Sequence, residues 1–128
     1  MKTVLVVDDE EVVRLVVARM LKRLGYEVLT AADGSEAVET FSRQPDEISC
    51  VIVDLAMPGM DGQQTFTALR QIQPDACIVL ASGLDEEEVT PRFAGFDFAG
   101  FIQKPFSIAI LEQKLNDVLH LEPGVTTP

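Results

Sequence analysis

Five polar residues each follow a short apolar run, and together they could carry phosphoryl chemistry. Asp8 and Asp9 follow TVLVV, Asp54 follows SCVIV, Ser82 follows CIVLA, and Lys104 follows GFIQ. Carboxylate oxygens are the ligands that a hard divalent cation prefers. A hydroxyl donor, a fixed ammonium and a metal ion are the groups that spread the charge of a transferring phosphoryl group. These residue types therefore predict a site at which a carboxylate accepts a phosphoryl group.

The apolar runs have the length and composition of buried strands, and amphipathic stretches separate them. Predicted strands cover 3–8, 27–31, 49–53, 77–81 and 98–102. Predicted helices cover 11–24, about 33–45, 61–74, 85–93 and 107–119. This alternation predicts an α/β fold with one five-stranded parallel sheet covered on both faces. Right-handed crossovers limit the topology to a single doubly wound sheet, for which we expect the strand order 2-1-3-4-5.

In such a sheet the functional residues gather at the carboxyl ends of the strands. The strands that precede Asp8, Asp54, Ser82 and Lys104 are neighbours in the predicted order. Carboxylates packed together without a partner repel each other, and a divalent cation relieves that repulsion. We therefore expect Mg²⁺ as the cofactor, with Mn²⁺ as the alternative metal. The phosphoryl donor must come from outside the chain.

Each of these residues also has an ordinary structural interpretation. The acids 8–10 could be residues that the helix dipole favours at a helix N-terminus. Asp54 could form an Asx-turn. Ser82 could belong to a plain loop, and Lys104 could be a surface lysine before a structural proline. Those interpretations do not predict that all of them fall at the ends of four strands.

The charge and length of the chain exclude several classes of function. The formal net charge is −11, so the surface repels a polyphosphate backbone and we expect no direct binding of nucleic acid. No apolar run is long enough to insert into a membrane, and no signal peptide is visible, so we expect a cytoplasmic protein. We expect one domain over 1–121 and a short tail over 122–128.

The two cysteines match neither a zinc motif nor a redox motif. Cys50 and Cys77 both lie at the start of apolar runs. We therefore expect buried thiols that stay reduced in the cytoplasm.

Four stretches of the chain resemble the receiver domain of two-component response regulators. They are VLVVDDE near the start, VDLAMPGMDG in the middle, VLASG, and GFIQKPF near the end. The resemblance reaches about Leu119, and the stretch from Gly83 to Phe106 is similar to receivers of hybrid sensor histidine kinases. It implies the flavodoxin-like fold and a signalling phosphoacceptor, which catalyses only its own phosphotransfer and dephosphorylation. It also implies a histidine kinase or a histidine phosphotransfer protein as the donor.

The resemblance assigns a role to each matching position. Asp54 matches the phosphoacceptor. Asp8 and Asp9 match the metal-binding acids, and Ala56 matches the residue whose backbone carbonyl is a further metal ligand beside Asp54.

The remaining matches concern the switch. Ser82 and Lys104 match the hydroxyl and the ammonium that meet the phosphoryl group. Phe101 matches the aromatic residue that moves inward on activation. The bond before Pro105 matches one that is typically cis in the family.

Two other functions remain open for such a sequence. A flavodoxin-like electron carrier would need a phosphate loop rich in serine, threonine and glycine after the first strand, where this chain has the acids 8–10. A pseudo-receiver scaffold would bind partners without phosphorylation. In the phosphoacceptor function, we expect a surface formed by residues 85–119 to bind an unknown downstream protein.

Overall fold

The computed structural model describes residues 2–56 and 62–120. Five parallel strands form one sheet in the order β2-β1-β3-β4-β5, which confirms the predicted doubly wound α/β fold. The elements are β1 Thr3–Val7, α1 Glu11–Arg23, β2 Glu27–Ala31, α2 Gly34–Arg43, β3 Ile48–Asp54, α3 Gly62–Ile72, β4 Ile78–Ser82, α4 Glu86–Val89, a 3₁₀ turn Thr90–Phe93, β5 Gly100–Gln103 and α5 Ile108–Val118.

Alternate residues of each strand point to opposite sides of the sheet, and helices pack on both sides. Both faces of the sheet are therefore buried. In β1, Leu5 and Val7 belong to one apolar cluster, and Val4 and Val6 belong to the other. Helix side chains complete the two clusters, with Phe41 of α2 and Phe66 of α3 on the first face and Leu21 of α1 and Leu115 of α5 on the second. The sheet is therefore a rigid layer whose carboxyl edge can hold side chains in fixed positions.

Local signals in the sequence explain where several helices begin or end. The Asp33 side chain accepts a hydrogen bond from the Glu36 amide at 2.8 Å at the start of α2. Ser107 caps α5 in the same way, through the amide of Ile110 at 3.2 Å. Gly25 follows α1 with a φ of 97°, a conformation that favours glycine.

The fourth helix and the fifth strand are both shorter than predicted. The α-helix ends at Val89, because Pro91 has no amide hydrogen and its ring clashes with the preceding turn. The strand begins at Gly100 rather than Phe98. Phe98 instead packs edge-on against Phe93, with ring centroids 6.1 Å apart.

Two burial positions differ from those that the sequence predicts. Periodicity places Val16 on the buried stripe of α1, but 44% of it is exposed. Cys77 precedes β4 and is only half-buried, whereas Cys50 is buried as expected. Most of the loop predicted at 55–60, the predicted helix cap Asp61 and the predicted tail 122–128 lie outside the described residues. Across the described ranges, none of the helices has the length and hydrophobicity to cross a bilayer.

Candidate functional site

Asp54 is the last residue of β3, and its carboxylate is almost entirely buried. Only 3% of the residue is exposed. The next residue is also held to the sheet, because the amide of Leu55 donates to the carbonyl oxygen of Ala81 at 3.0 Å. Gly62 packs so closely on Leu55 that an added Cβ would lie 2.6 Å from its Cδ2 atom. This packing fixes the direction in which Asp54 leaves the sheet.

Two further carboxylates meet Asp54 at the carboxyl edge of the sheet. Asp8 and Asp9 directly follow β1, the neighbour of β3. One oxygen from each of the three carboxylates lies within 4.8 Å of the others. Asp8 is buried and Asp9 is exposed, so the cluster opens to solvent on one side. Glu10, which precedes α1, is exposed and outside this group, and its amide donates to Asp8 at 2.9 Å.

Lys104 provides the positive charge that this acidic cluster lacks. It follows β5, and its Nζ atom lies 3.0 Å from Oδ2 of Asp8 and 3.4 Å from Oδ1 of Asp54. Its backbone amide donates to the carbonyl oxygen of Ser82 at 2.7 Å, which holds it against the end of β4. The Lys104–Pro105 peptide bond is cis. A single ammonium therefore bridges two buried carboxylates from two different strands.

The pKa values of the site reflect burial and this pairing. Burial raises the pKa of Asp54 above its ordinary value of 3.8, Lys104 lowers it, Asp8 raises it, and the net direction is upward. For Lys104, burial lowers the pKa, but the hydrogen bond to Asp8 and the charge of Asp54 outweigh burial and raise it above 10.5. Lys104 is therefore a fixed cation at neutral pH.

The other predicted site residues lie around this group. Ser82 is buried at the end of β4, and its Oγ accepts a hydrogen bond from the amide of Leu84 at 3.0 Å. The amide of Ala56 donates to Oδ1 of Asp54 at 3.3 Å. Phe101 lies inside the first apolar cluster with 6% exposed.

Arg14 is a residue of the site that the sequence does not predict. Its Nη1 atom donates to the carbonyl oxygen of Asp8 at 2.7 Å, which ties α1 to the turn that carries both acids. The residue lies one helical turn after the start of α1. An arginine on an amphipathic helix is ordinarily a surface residue, so nothing in the periodicity distinguishes it.

The donor set fits a hard divalent cation. The cluster offers only oxygen atoms from the side chains of Asp8, Asp9 and Asp54, and Mg²⁺ prefers oxygen ligands and few protein carboxylates. The exposed side at Asp9 leaves room for the water molecules that Mg²⁺ retains. An acidic cluster with one lysine keeps a net negative charge, which a cation would neutralise.

The upward pKa shift of Asp54 predicts that Asp54→Asn stabilises the metal-free protein at neutral pH. The pKa of Asp54 is higher in the folded state than in the unfolded state. The wild type therefore loses stability as the pH rises from the unfolded-state pKa of Asp54 through its folded-state pKa. Well below the unfolded-state pKa of about 3.9, the carboxyl is protonated in both states and the two proteins should match. At pH 7 the variant should be the more stable of the two, measured by urea denaturation in EDTA.

Asp75→Asn, at an exposed position outside the cluster, is the control for the loss of one negative charge. It should not change stability in this pH-dependent way. An Asp54→Asn variant that is less stable than the wild type at pH 7 in EDTA would contradict the electrostatic interpretation. Added Mg²⁺ should stabilise the wild type more than the variant, because the variant lacks one ligand.

Comparison with known proteins agrees with this geometry. Residues 4–116 match the response regulator receiver domain family. The chain is 36% identical over 117 residues to the sensor kinase CckA of Brucella abortus, covering 91% of this chain and 12% of that protein. It is 36% identical over 127 residues to the probable transcriptional regulatory protein TcrX of Mycobacterium tuberculosis, covering 98% of this chain and 52% of that protein. The chain therefore spans about half of the regulator and a small part of the kinase.

Solved structures show the same likeness. The chemotaxis protein CheY4 of Vibrio cholerae superposes with a TM-score of 0.84 at 32% identity, over 92% of this chain and 98% of that one. The receiver domain of the hybrid histidine kinase CckA superposes with a TM-score of 0.77 at 33% identity, over 91% and 98% of the two chains. With its fold, its acidic cluster and its sequence in agreement, this chain belongs to the response regulator receiver domain family.

Proposed function

We propose that this domain accepts a phosphoryl group on Asp54 from a histidine kinase or a histidine phosphotransfer protein in the cytoplasm. The observation that carries the proposal is the buried Asp54 carboxylate, with Lys104 3.4 Å away and two more carboxylates within 4.8 Å. A lone buried aspartate would need only one partner. The additional acids are explained if a cation and a phosphoryl group share the site.

Asp8, Asp9, Asp54 and the backbone carbonyl of Ala56 would hold Mg²⁺, or Mn²⁺ in its place. The bound ion supplies positive charge that offsets the charge on the phosphoryl oxygens. A solved complex of CheX and CheY from Borrelia burgdorferi, at 28% identity and a TM-score of 0.85 over 91% of this chain and 88% of that one, contains BeF₃ and Mg²⁺. That precedent and the oxygen-only donor set support a metal-dependent site here.

The protein side chains have distinct parts in the transfer. An oxygen of Asp54 attacks the phosphorus, a new O–P bond forms, and the N–P bond of the donor phosphohistidine breaks, so that the electron pair returns to the imidazole. Lys104 is close enough to pair with a phosphoryl oxygen on Asp54. The hydroxyl of Ser82 now accepts from Leu84 and has a hydrogen free to donate toward the phosphoryl group.

Incubation of the purified chain with acetyl phosphate tests the proposal. Intact-mass measurement should find one phosphoryl adduct when Mg²⁺ is present and none in EDTA. A chain that stays unmodified under both conditions would favour the pseudo-receiver scaffold. Slow loss of the adduct after removal of acetyl phosphate would measure the self-dephosphorylation that the family resemblance implies.

An exposed apolar patch beside the acids suits the protein that donates the phosphoryl group. Val12, Leu15 and Val16 are 74%, 50% and 44% exposed, and they lie in the first turns of α1, just after Asp9. A phosphohistidine on another protein can reach a buried Asp54 only if that protein covers this rim of the sheet. Exposed apolar side chains in a cluster of this kind are typical of interaction sites.

Leu15→Asp should therefore slow phosphorylation by a phosphorylated histidine phosphotransfer protein roughly tenfold, because it places a charge in the apolar contact. Phosphorylation by acetyl phosphate should stay at the wild-type rate, since the small donor needs no docking surface. Ile110→Asp is the matched control, because Ile110 is 49% exposed on α5. Equal slowing by both substitutions, or slowing with acetyl phosphate, would contradict a docking role for α1.

The downstream protein would bind the face formed by α4, β5 and α5. A groove of about 300 Å³ runs across this face, lined among others by Glu86, Phe101, Gln103, Ile110 and Lys114. Phe101 connects the groove to the first apolar cluster. A change at Ser82 on phosphorylation would reach this face through the paired strands β4 and β5, as a shift between two states.

A further inference from the structure

The two cysteines lie side by side at the end of the sheet opposite to the acids, Cys50 in β3 and Cys77 just before the neighbouring strand β4. Val51 is paired with Ile78, and the amide of Val51 donates to the carbonyl oxygen of Cys77 at 2.9 Å. The residue before each member of this pair is a cysteine, so Cys50 stands opposite Cys77. Both side chains point to the same face, into the second apolar cluster.

This placement satisfies the distance requirement of a disulfide bond. Neighbouring strands are about 4.8 Å apart, and the Cα atoms of a disulfide are about 4.4–6.8 Å apart. The two thiols are free, and each lies close enough to the other to shift its pKa. The strand pairing therefore places Cys50 and Cys77 at a separation that a disulfide bond can span.

The two thiols differ in accessibility and acidity. Cys50 is 1% exposed, whereas Cys77 is half-buried at the edge of the cluster, with its Sγ 3.9 Å from the carbonyl oxygen of Val118. The interaction with Cys50 lowers the pKa of Cys77, burial opposes this, the nearby charge of Arg70 lowers the pKa further, and the net direction is downward. The interaction with Cys77, together with burial, raises the pKa of Cys50. An oxidant therefore meets Cys77 first, and in its more reactive form.

We propose that Cys50 and Cys77 are a dithiol pair that a hydroperoxide oxidises to an intramolecular disulfide. The Cys77 thiolate attacks a peroxide oxygen, the O–O bond breaks, and the leaving hydroxide or alkoxide takes a proton. Cys77 is then a sulfenic acid. The Cys50 sulfur attacks the Cys77 sulfur, an S–S bond forms, the S–O bond breaks, and the hydroxyl leaves as water with the Cys50 proton. The peroxide is reduced by two electrons and the thiol pair is oxidised by two.

This modification site is separate from the proposed phosphorylation site. The cysteines lie at the start of β3 and just before β4, whereas Asp54 and Ser82 end those strands. Oxidation and phosphorylation can therefore be measured on the same chain by different mass changes. A failure of either one leaves the other intact.

Treatment of the wild-type chain with hydrogen peroxide, followed by alkylation under denaturing conditions, tests the proposal. Intact mass should show a monomer that has lost two hydrogen atoms and carries no alkyl group, and dithiothreitol should restore two alkylation sites. Peptide mapping should find the Cys50 and Cys77 peptides joined. Before oxidation, Cys77 should alkylate in the folded protein roughly tenfold faster than Cys50.

Single substitutions separate the two roles. Cys50→Ala should stop oxidation at a sulfenic acid on Cys77, which dimedone traps, and Cys77→Ser should leave Cys50 unoxidised under the same treatment. Because Cys50→Ala creates a small cavity, its fold is checked by circular dichroism, and the peptide map of the wild type tests the pairing without any substitution. Oxygen adducts on Cys77 with Cys50 still alkylatable, or disulfide-linked dimers alone, would overturn the proposal.

Discussion

Asp54→Asn should abolish the phosphoryl adduct that acetyl phosphate forms on this chain in Mg²⁺. An amide oxygen carries no formal charge and its lone pairs are poor nucleophiles, so the rate should fall at least roughly hundredfold. The surroundings should survive, because an amide oxygen can still accept from Ala56, and Lys104 keeps its partner Asp8 at 3.0 Å. Intact mass after a fixed incubation measures the result directly.

Two controls make this experiment specific to one carboxylate. Asp75→Asn removes an exposed aspartate outside the cluster and should be phosphorylated like the wild type. Circular dichroism and urea denaturation should show Asp54→Asn to be folded and, without metal, more stable than the wild type. A phosphoryl adduct of wild-type amount on Asp54→Asn would place the acceptor elsewhere and remove the basis of the proposed function.

The strands could be predicted because the sheet is buried on both faces. Each strand then becomes a continuous apolar run, such as VLVV or CVIV, with helical periodicity between runs. The predicted ends of elements are wrong where a proline or local side-chain packing overrides the hydrophobic periodicity. Pro91 ends α4 early, and Phe98 packs among aromatic rings before β5 begins. Helical periodicity overestimates the burial of Val16. The apolar stripe of α1 is only a few residues wide, and residue types alone do not show where the stripe ends.

The site could be predicted as a set of strand ends, but the contacts within it could not. Parallel strands bring their carboxyl ends to one edge, so polar residues at those ends must approach each other. Which of them touch depends on side-chain directions across long sequence separations. The contact between Lys104 and Asp8 joins residues 96 positions apart, and Arg14 acts through a backbone carbonyl. The family resemblance assigns Lys104 to the phosphoryl group, and only the structure shows that it is paired with two acids.

This double pairing leads to the second large effect, which concerns Lys104→Ala. The ammonium lies where it can stabilise phosphoryl oxygens, so its loss should slow phosphorylation roughly hundredfold at saturating Mg²⁺. The same ammonium repels a cation bound to Asp8 and Asp54, so its loss should tighten Mg²⁺ binding roughly tenfold, or about 1.4 kcal/mol. Isothermal titration with Mg²⁺ and a phosphorylation time course measure the two effects separately.

The opposite signs of the two effects distinguish this role of Lys104 from a merely structural one. A variant that only loosened the site would bind Mg²⁺ more weakly and also react more slowly. Lys104→Arg keeps the charge, so its Mg²⁺ affinity should stay near the wild-type value, while Lys22→Ala, at an exposed position on α1, should change neither quantity. Weaker Mg²⁺ binding by Lys104→Ala would show that the lysine organises the carboxylates instead of competing with the metal for them. In that case the ion pairs at 3.0 and 3.4 Å would be part of the metal site itself.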